Sequence, residues 1–196
     1  QVLYVKLAKT GGVVLSGDLY HYPEERTLNR LPTFEVSEEQ TAASEAADVV
    51  FSYGGPLIMA GLDLTHQFQA LPHRVDMVRA LPGRFATAIA DLLDFFSHTY
   101  TSRHHGIGGA AVHDPLAVMA LTHPHLFTGR DAHVEGEVHG SRTAGMTIVD
   151  QRDLKEVPPG NCRWQQTVEA DAAWQVVVDA IAHFSAPAGT ENGGQP

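Results

Sequence analysis

His113 and Asp114 stand side by side in "GAAVHDPLAVMA" (109–120), where a run of small residues gives way to an apolar one. An imidazole holds or releases a proton near neutral pH, and a carboxylate is a hard oxygen ligand for Ca²⁺ or Mg²⁺. Together they could protonate a leaving group and hold a cation, which is the equipment of a hydrolytic site. The same residues also read as a helix start, with Asp114 as N-cap, Pro115 in the first turn and LAVMAL as the apolar body. A second stretch, "GLDLTH" (61–66), follows an apolar run and offers the oxygens of Asp63 and Thr65, or alternatively only a cap and a tight turn. Residue type and spacing leave both pairs of readings open.

The elements that must position these residues follow from periodicity. Residues 2 to 8 are β-rich and lead into the glycine-containing loop "KTGGVVLSGD", and residues 18 to 44 are irregular, a long loop for a compact domain. "SEAADVVFSYG" predicts a short amphipathic helix stopped at Gly54-Gly55, and "PLIMAGLD" a buried strand of parallel type, so GLDLTH lies at the carboxyl end of that strand. Thr65 is placed to cap a following helix. "FATAIADLLDFFSHTYTSR" predicts a helix with Phe85, Ile89, Leu92, Leu93 and Phe96 on one face. "HHGIGG" breaks the chain before the His-Asp helix, which ends near "THPHLF". Three short strands are expected in "HVEGEVH", "GMTIVD" and "CRWQQTVE", then a helix "DAAWQVVVDAIAHF" capped by Asp171. The expected organisation is one α/β domain over residues 1–185 with a β-rich excursion near its end, and a disordered tail over 186–196.

Composition narrows the functions. The 196 residues are 43% hydrophobic and 18% charged, ordinary for a folded domain, and carry a formal net charge of −10. No basic cluster exceeds a dipeptide, so nucleic acid is not an expected partner. No apolar stretch reaches the roughly 20 residues that span a bilayer, so no membrane is expected, and the cytoplasm is the expected compartment. A single cysteine, Cys162, allows no internal disulfide and is read as structural. Twelve histidines form no HExxH or cysteine–histidine spacing, which argues against zinc. Neither a GxGxxG nor a GxxxxGK[ST] loop is present, and a GxSxG nucleophile is missing too.

Taken together, "PLIMAGLDLTHQ" (56–67), "GGAAVHDPLAVMALTHPHLF" (108–127) and "GMTIVDQRDL" (145–154) resemble, in order and spacing, the C-terminal half of the inosine–uridine preferring nucleoside hydrolases. The terminal "VEADAAWQVVVDAI" is similar as well, and the likeness runs from about residue 43 to 185. The resemblance implies a Rossmann-like nucleoside hydrolase fold of the α/β class, with its site at the carboxyl ends of parallel strands. It also implies a Ca²⁺-dependent enzyme that cleaves the N-glycosidic bond of ribonucleosides with water, giving ribose and free base. His113 falls where many members protonate or orient the departing base, and Asp114 falls on a Ca²⁺ ligand. The implied partner is a small ribonucleoside, and the implied assembly a homo-oligomer.

Upstream the pattern departs from the family. The family's ribose loop reads roughly G-N-x-T-x-x-A-E-F-N; Asn29 and Glu35 in "NRLPTFEVS" keep the separation of its Asn and Glu, while Val36 and Ser37 replace the last two residues. The Asp-rich D-x-D-x-G-x-D-D motif, which supplies most of the metal's carboxylates and the base for water, has no counterpart in residues 1 to 30, where Asp18 is the lone Asp. The chain is therefore expected to be a partial family member that binds Ca²⁺ poorly and has at most trace activity alone. The alternative from the binding class is a non-catalytic nucleoside- or ribose-binding or oligomerisation fragment.

Overall fold

The computed structural model describes residues 2–6, 13–17, 38–101, 108–140, 143, 145–152, 156 and 158–185. The chain divides into two compact units, Gln1–Phe68 with His113–Glu169, and Gln69–Val112 with Ala170–Pro196. Asn29, Glu35, the break around 102–107 and the tail over 186–196 lie outside the described residues.

The first unit is built on a five-stranded mixed sheet. Its strands are β1 (Val2–Lys6), β2 (Val13–Gly17), β3 (Leu57–Ala60), β9 (Cys162–Val168) and β6 (Phe127–Ala132), in that spatial order. β2, β3 and β9 run parallel, and β1 and β6 close the two edges antiparallel. Three features differ from the sequence reading. Residues 13–17 are a strand and not a loop: a Val-Val-Leu run between glycines pairs with β1 at Val5↔Val14 and with β3 at Leu15↔Met59. Residues 127–132 also form a strand, although Gly129, Arg130 and Asp131 hide any alternation, and the register shifts between Thr128 and Gly129. "CRWQQTVE" belongs to the central sheet, because β9 inserts beside β3 and not into the excursion.

The first helix, α1 (Glu38–Phe51), is longer than "SEAADVVF" alone because EEQTAA continues the run of helix formers; Gly54 just beyond it takes φ +73°, a backbone that favours glycine. Phe51 joins Leu57, Met59, Ala132, Val134, Cys162 and Trp164 in the core of the unit. Burial pushes the Cys162 thiol up to about 12, so the lone cysteine is an inert core residue.

After β3 the chain makes one helical turn, α2 (Leu62–Thr65), and leaves the unit at Phe68. It returns as α5 (His113–Thr122), which packs on β2 and β3 and buries Leu116, Ala117, Met119 and Ala120. The helix starts two residues earlier than expected: Asp114 lies inside the first turn and is not the N-cap. An acidic residue in the first turn is still favoured by the positive end of the helix dipole. A 3₁₀ turn (Pro124–Leu126) leads into β6.

The second unit packs α3 (Pro72–Arg79), α4 (Arg84–Thr101) and α6 (Ala170–Ser185) beside a short antiparallel pair, β4 (Gln69–Ala70) and β5 (Ala110–Ala111). The α4 helix is as expected, but its inner face is not the aromatic one. Ala86 and Ala90 are buried and Ser97 bonds both β4 and β5, while Phe85, Leu92 and Phe96 are exposed. Ala86, Ala90 and Ser97 recur at helical spacing, and small side chains admit the close approach of neighbouring backbone. Asp171 lies in the first turn of α6, not at its N-cap, and accepts from buried Arg74 at 2.6 Å. Trp174 Nε1 donates to the Arg74 carbonyl at 3.0 Å, so one arginine ties α3 to α6 twice. Among the described residues no helix is long and apolar enough to cross a membrane.

The excursion itself is the hairpin of β7 (Val134–Gly136) and β8 (Thr147–Val149). A cavity of about 300 Å³ beside it is lined by His133, Glu135, Ile148, Asp150, Arg152 and Pro158, among others. Arg152 holds the Asp150 carboxyl down to about 2 through paired hydrogen bonds. His133 bridges two acceptors, the Glu135 carboxylate at 2.7 Å and the Pro159 carbonyl at 3.1 Å. Both partners can only accept, so the geometry suits an imidazolium, and Glu135 in the first place raises the His133 pKa.

Two predictions follow from this packing. A raised folded pKa means the His133 clasp contributes below the ordinary value of about 6.5 and is lost as pH rises through the raised one. The urea-midpoint gap between the parent and His133→Gln should be widest below about pH 6.5 and narrow as pH rises above it; a gap independent of pH would contradict this. At Gly109 a Cβ would stand 2.2 Å from the Ala70 carbonyl oxygen, inside the β4–β5 approach. Gly109→Ala should cost about 1–3 kcal/mol in denaturant unfolding.

Candidate active site

The site begins with how β3 stops. Gly61 is extended, offers no side-chain cap, and its carbonyl accepts from both Leu64 N and Thr65 N. Four residues make a weak helix by themselves; side chains hold this one. Leu64 and Phe68 are fully buried one turn apart. Trp164 on β9 donates its indole N–H to Asp63 Oδ2 at 3.1 Å, and Gln67 Nε2 donates to the Asp63 carbonyl at 2.9 Å and to the Gln166 carbonyl at 2.8 Å. The turn is thereby fastened to β9, the parallel neighbour of the strand it leaves.

Thr65 ends the turn with its side chain 1% exposed, and its Oγ1 lies 2.8 Å from Nδ1 of half-buried His113. The sequence reading put Thr65 as a cap for a following helix; it is instead the last residue of α2, and its hydroxyl is directed to His113. His66, the next residue, brings a second imidazole to 5.9 Å from that of His113, ring centre to ring centre. Asp114 is exposed at the start of α5. The structure thus brings GLDLTH and the His-Asp pair together at the carboxyl end of β3, where open α/β sheets bind ligands. Trp164 was missed in the sequence, although a Trp inside a strand is a cue in itself: a buried indole N–H needs an acceptor.

Among the described residues no three His, Cys, Asp or Glu side chains gather so as to hold a metal ion. Asp63 is engaged by the indole, and Asp114 supplies a single carboxylate. Ca²⁺ takes about six to eight oxygens, so the described residues do not by themselves fit that ion. What they do provide is an imidazole fixed at one nitrogen beside an exposed carboxylate.

A sheet whose central strands β2, β3 and β9 run parallel, with helices packed on it, defines a protein of the α/β class. Residues 41–175 match the model of the inosine-uridine preferring nucleoside hydrolases. The chain belongs to that family, a family of hydrolases. It is 38% identical over 141 residues to the pyrimidine-specific ribonucleoside hydrolase RihA of Enterobacter sp. (strain 638), covering 72% of this chain and 45% of the relative. The protein of the same name from Shewanella woodyi is 44% identical over 110 residues, 56% of this chain and 35% of that one. Among solved structures, the purine-preferring ribonucleoside hydrolase from Gardnerella vaginalis superposes with a TM-score of 0.63 at 29% identity, over 72% of this chain and 44% of the other. An inosine-guanosine nucleoside hydrolase shares the fold, with a TM-score of 0.60 at 19% identity over 71% of this chain and 44% of that one. The chain spans about half the length of the relatives it matches.

Proposed function

We propose that the protein hydrolyses the N-glycosidic bond of ribonucleosides to ribose and free base, with His113 giving the departing base its proton. One observation carries the reading: the family's His-Asp segment lies at the carboxyl end of β3 with the His113 ring held by Thr65. As the bond between the anomeric carbon and the base nitrogen breaks, the bonding pair leaves with the base and positive charge spreads over the ribose ring. Water attacks the anomeric carbon and sheds a proton; the base nitrogen takes one from the imidazolium. Such acid help is worth about 10² to 10⁴ in rate, roughly 3–5 kcal/mol of barrier. Asn29 and Glu35 are proposed to hold the ribose hydroxyls. One group of relatives bears the name pyrimidine-specific and a structural neighbour the name purine-preferring, so the reading is for ribonucleosides as a class.

The calcium dependence that the resemblance implies is part of the proposal only as a shared ligand set, with Asp114 as one ligand and the others outside the described residues. On that count the 196-residue chain should bind Ca²⁺ weakly and release at most traces of base. Calorimetric titration with Ca²⁺, and base release from inosine and uridine with and without chelator, check this. Robust chelator-sensitive turnover would mean that carboxylates such as Asp18 and Glu35 complete the site.

The acid role has its own test. In a turning-over, full-length form, His113→Ala should lower kcat on inosine and uridine by about 10²- to 10⁴-fold, and far less on a nitrophenyl riboside whose leaving group needs no proton. Equal losses on both substrates would leave His113 as a group that orients the substrate.

A further inference from the structure

We propose that Thr65 is a positioning residue for this reaction: by holding Nδ1 of His113 it assigns proton delivery to Nε2. The proposal rests on the reading of His113 as the acid. Thr65 is 1% exposed and its hydroxyl is bonded to an imidazole, which favours a supporting role over the direct ligand role that the sequence suggested. Its position is set by the fold on every side. The Thr65 backbone N–H donates to Gly61 and its carbonyl accepts from Phe68, the neighbours Leu64 and Phe68 are fully buried, and a β-branched side chain has little χ1 freedom. Thr87 and Thr99 turn their hydroxyl back to the carbonyl four residues earlier, and Thr122 does so while also meeting Nδ1 of its neighbour His123. Thr65 turns its own towards a side chain 48 residues away.

The chemistry of the contact explains why a hydroxyl suits it. A threonine hydroxyl is both donor and acceptor, so it donates to a bare Nδ1 and accepts from Nδ1–H. When the imidazolium passes its Nε2 proton to the base nitrogen, the neutral ring left behind carries its remaining proton on Nδ1, which donates to Thr65 Oγ1. The contact to Nδ1 survives the transfer, and the ring need not reorient.

The pinning can be read without turnover. In the 196-residue chain labelled with ¹⁵N-histidine, long-range ¹H–¹⁵N spectra report each ring nitrogen, with the His113 signals assigned by their loss in His113→Gln. Thr65→Val removes the hydroxyl at nearly constant shape and should move the Nδ1 resonance more than the Nε2 resonance; Thr65→Ser should restore it. Identical spectra in parent, Val and Ser variants, or a change at Nε2 alone, would overturn the proposal. In a full-length, active form Thr65→Val should lower kcat on inosine up to about tenfold, the worth of one hydrogen bond, with KM unchanged and with recovery in Thr65→Ser. A Thr65→Val loss confined to KM would also overturn it. Because Nδ1 is observed in the resting chain, failure of the acid reading in the His113→Ala comparison is distinguishable from failure of the pinning.

Discussion

A strand that ends among buried neighbours must change direction without stranding its backbone groups, and the rest of the site depends on how β3 meets that constraint. Its solution is a single helical turn whose N–H groups return to Gly61 and Leu62, stitched to β9 by the indole of Trp164 and the amide of Gln67. Parallel pairing of β3 with β9, at Met59↔Trp164, brings the indole within reach of Asp63. The turn then presents Thr65, and α5, resting on β2 and β3, presents His113 to it. Remove the β3–β9 pairing and the imidazole loses its support, although no residue of β9 touches it in this chain of contacts.

Charge is handled differently in the excursion. Around β7 and β8 two ion pairs stand side by side, His133 with Glu135 and Asp150 with Arg152, and the His133 and Asp150 pKa values move in the directions that favour the charged forms. These are exposed pairs, and their worth to stability is small and salt-sensitive. At the end of β3 the buried group beside the imidazole is a neutral hydroxyl. The turn after β3 is held by packing of Leu64 and Phe68 and by hydrogen bonds from the Trp164 indole and the Gln67 amide.

The sequence was most legible where one signal dominated. "PLIMA" read as a parallel strand because a continuous apolar run is what burial on both faces demands, and the His-Asp helix read correctly in its existence and its end because Pro115 and the apolar body agree. Elements were lost where local signals conflicted. β2 is flanked by glycines, and β6 carries Gly129, Arg130 and Asp131, so neither shows the period of two that marks a half-buried strand. On α4 the aromatic stripe outweighed the alanine stripe in the sequence, yet the alanines are inside, since the distance to neighbouring backbone and not hydrophobicity decides which face fits. Asp114 and Asp171 were each read as caps and lie in first turns, a shift that leaves the helix-start electrostatics intact while freeing Asp171 to pair with Arg74. No sequence pattern couples residue 65 to residue 113; only the fold does.

The identity of residue 65 follows from what an acid must do. A carboxylate at that position would also hold Nδ1, but it would have to be buried, where an ionised group is costly unless paired, and it would favour the protonated ring over the neutral one. A ring so held gives up its proton less readily. An alanine would remove the hydroxyl that meets Nδ1. The hydroxyl holds the ring in both protonation states and adds no charge, so the proton's destination is left to the departing base. Such support does its work before the reaction begins, since a ring already in place needs no reorganisation as the bond breaks.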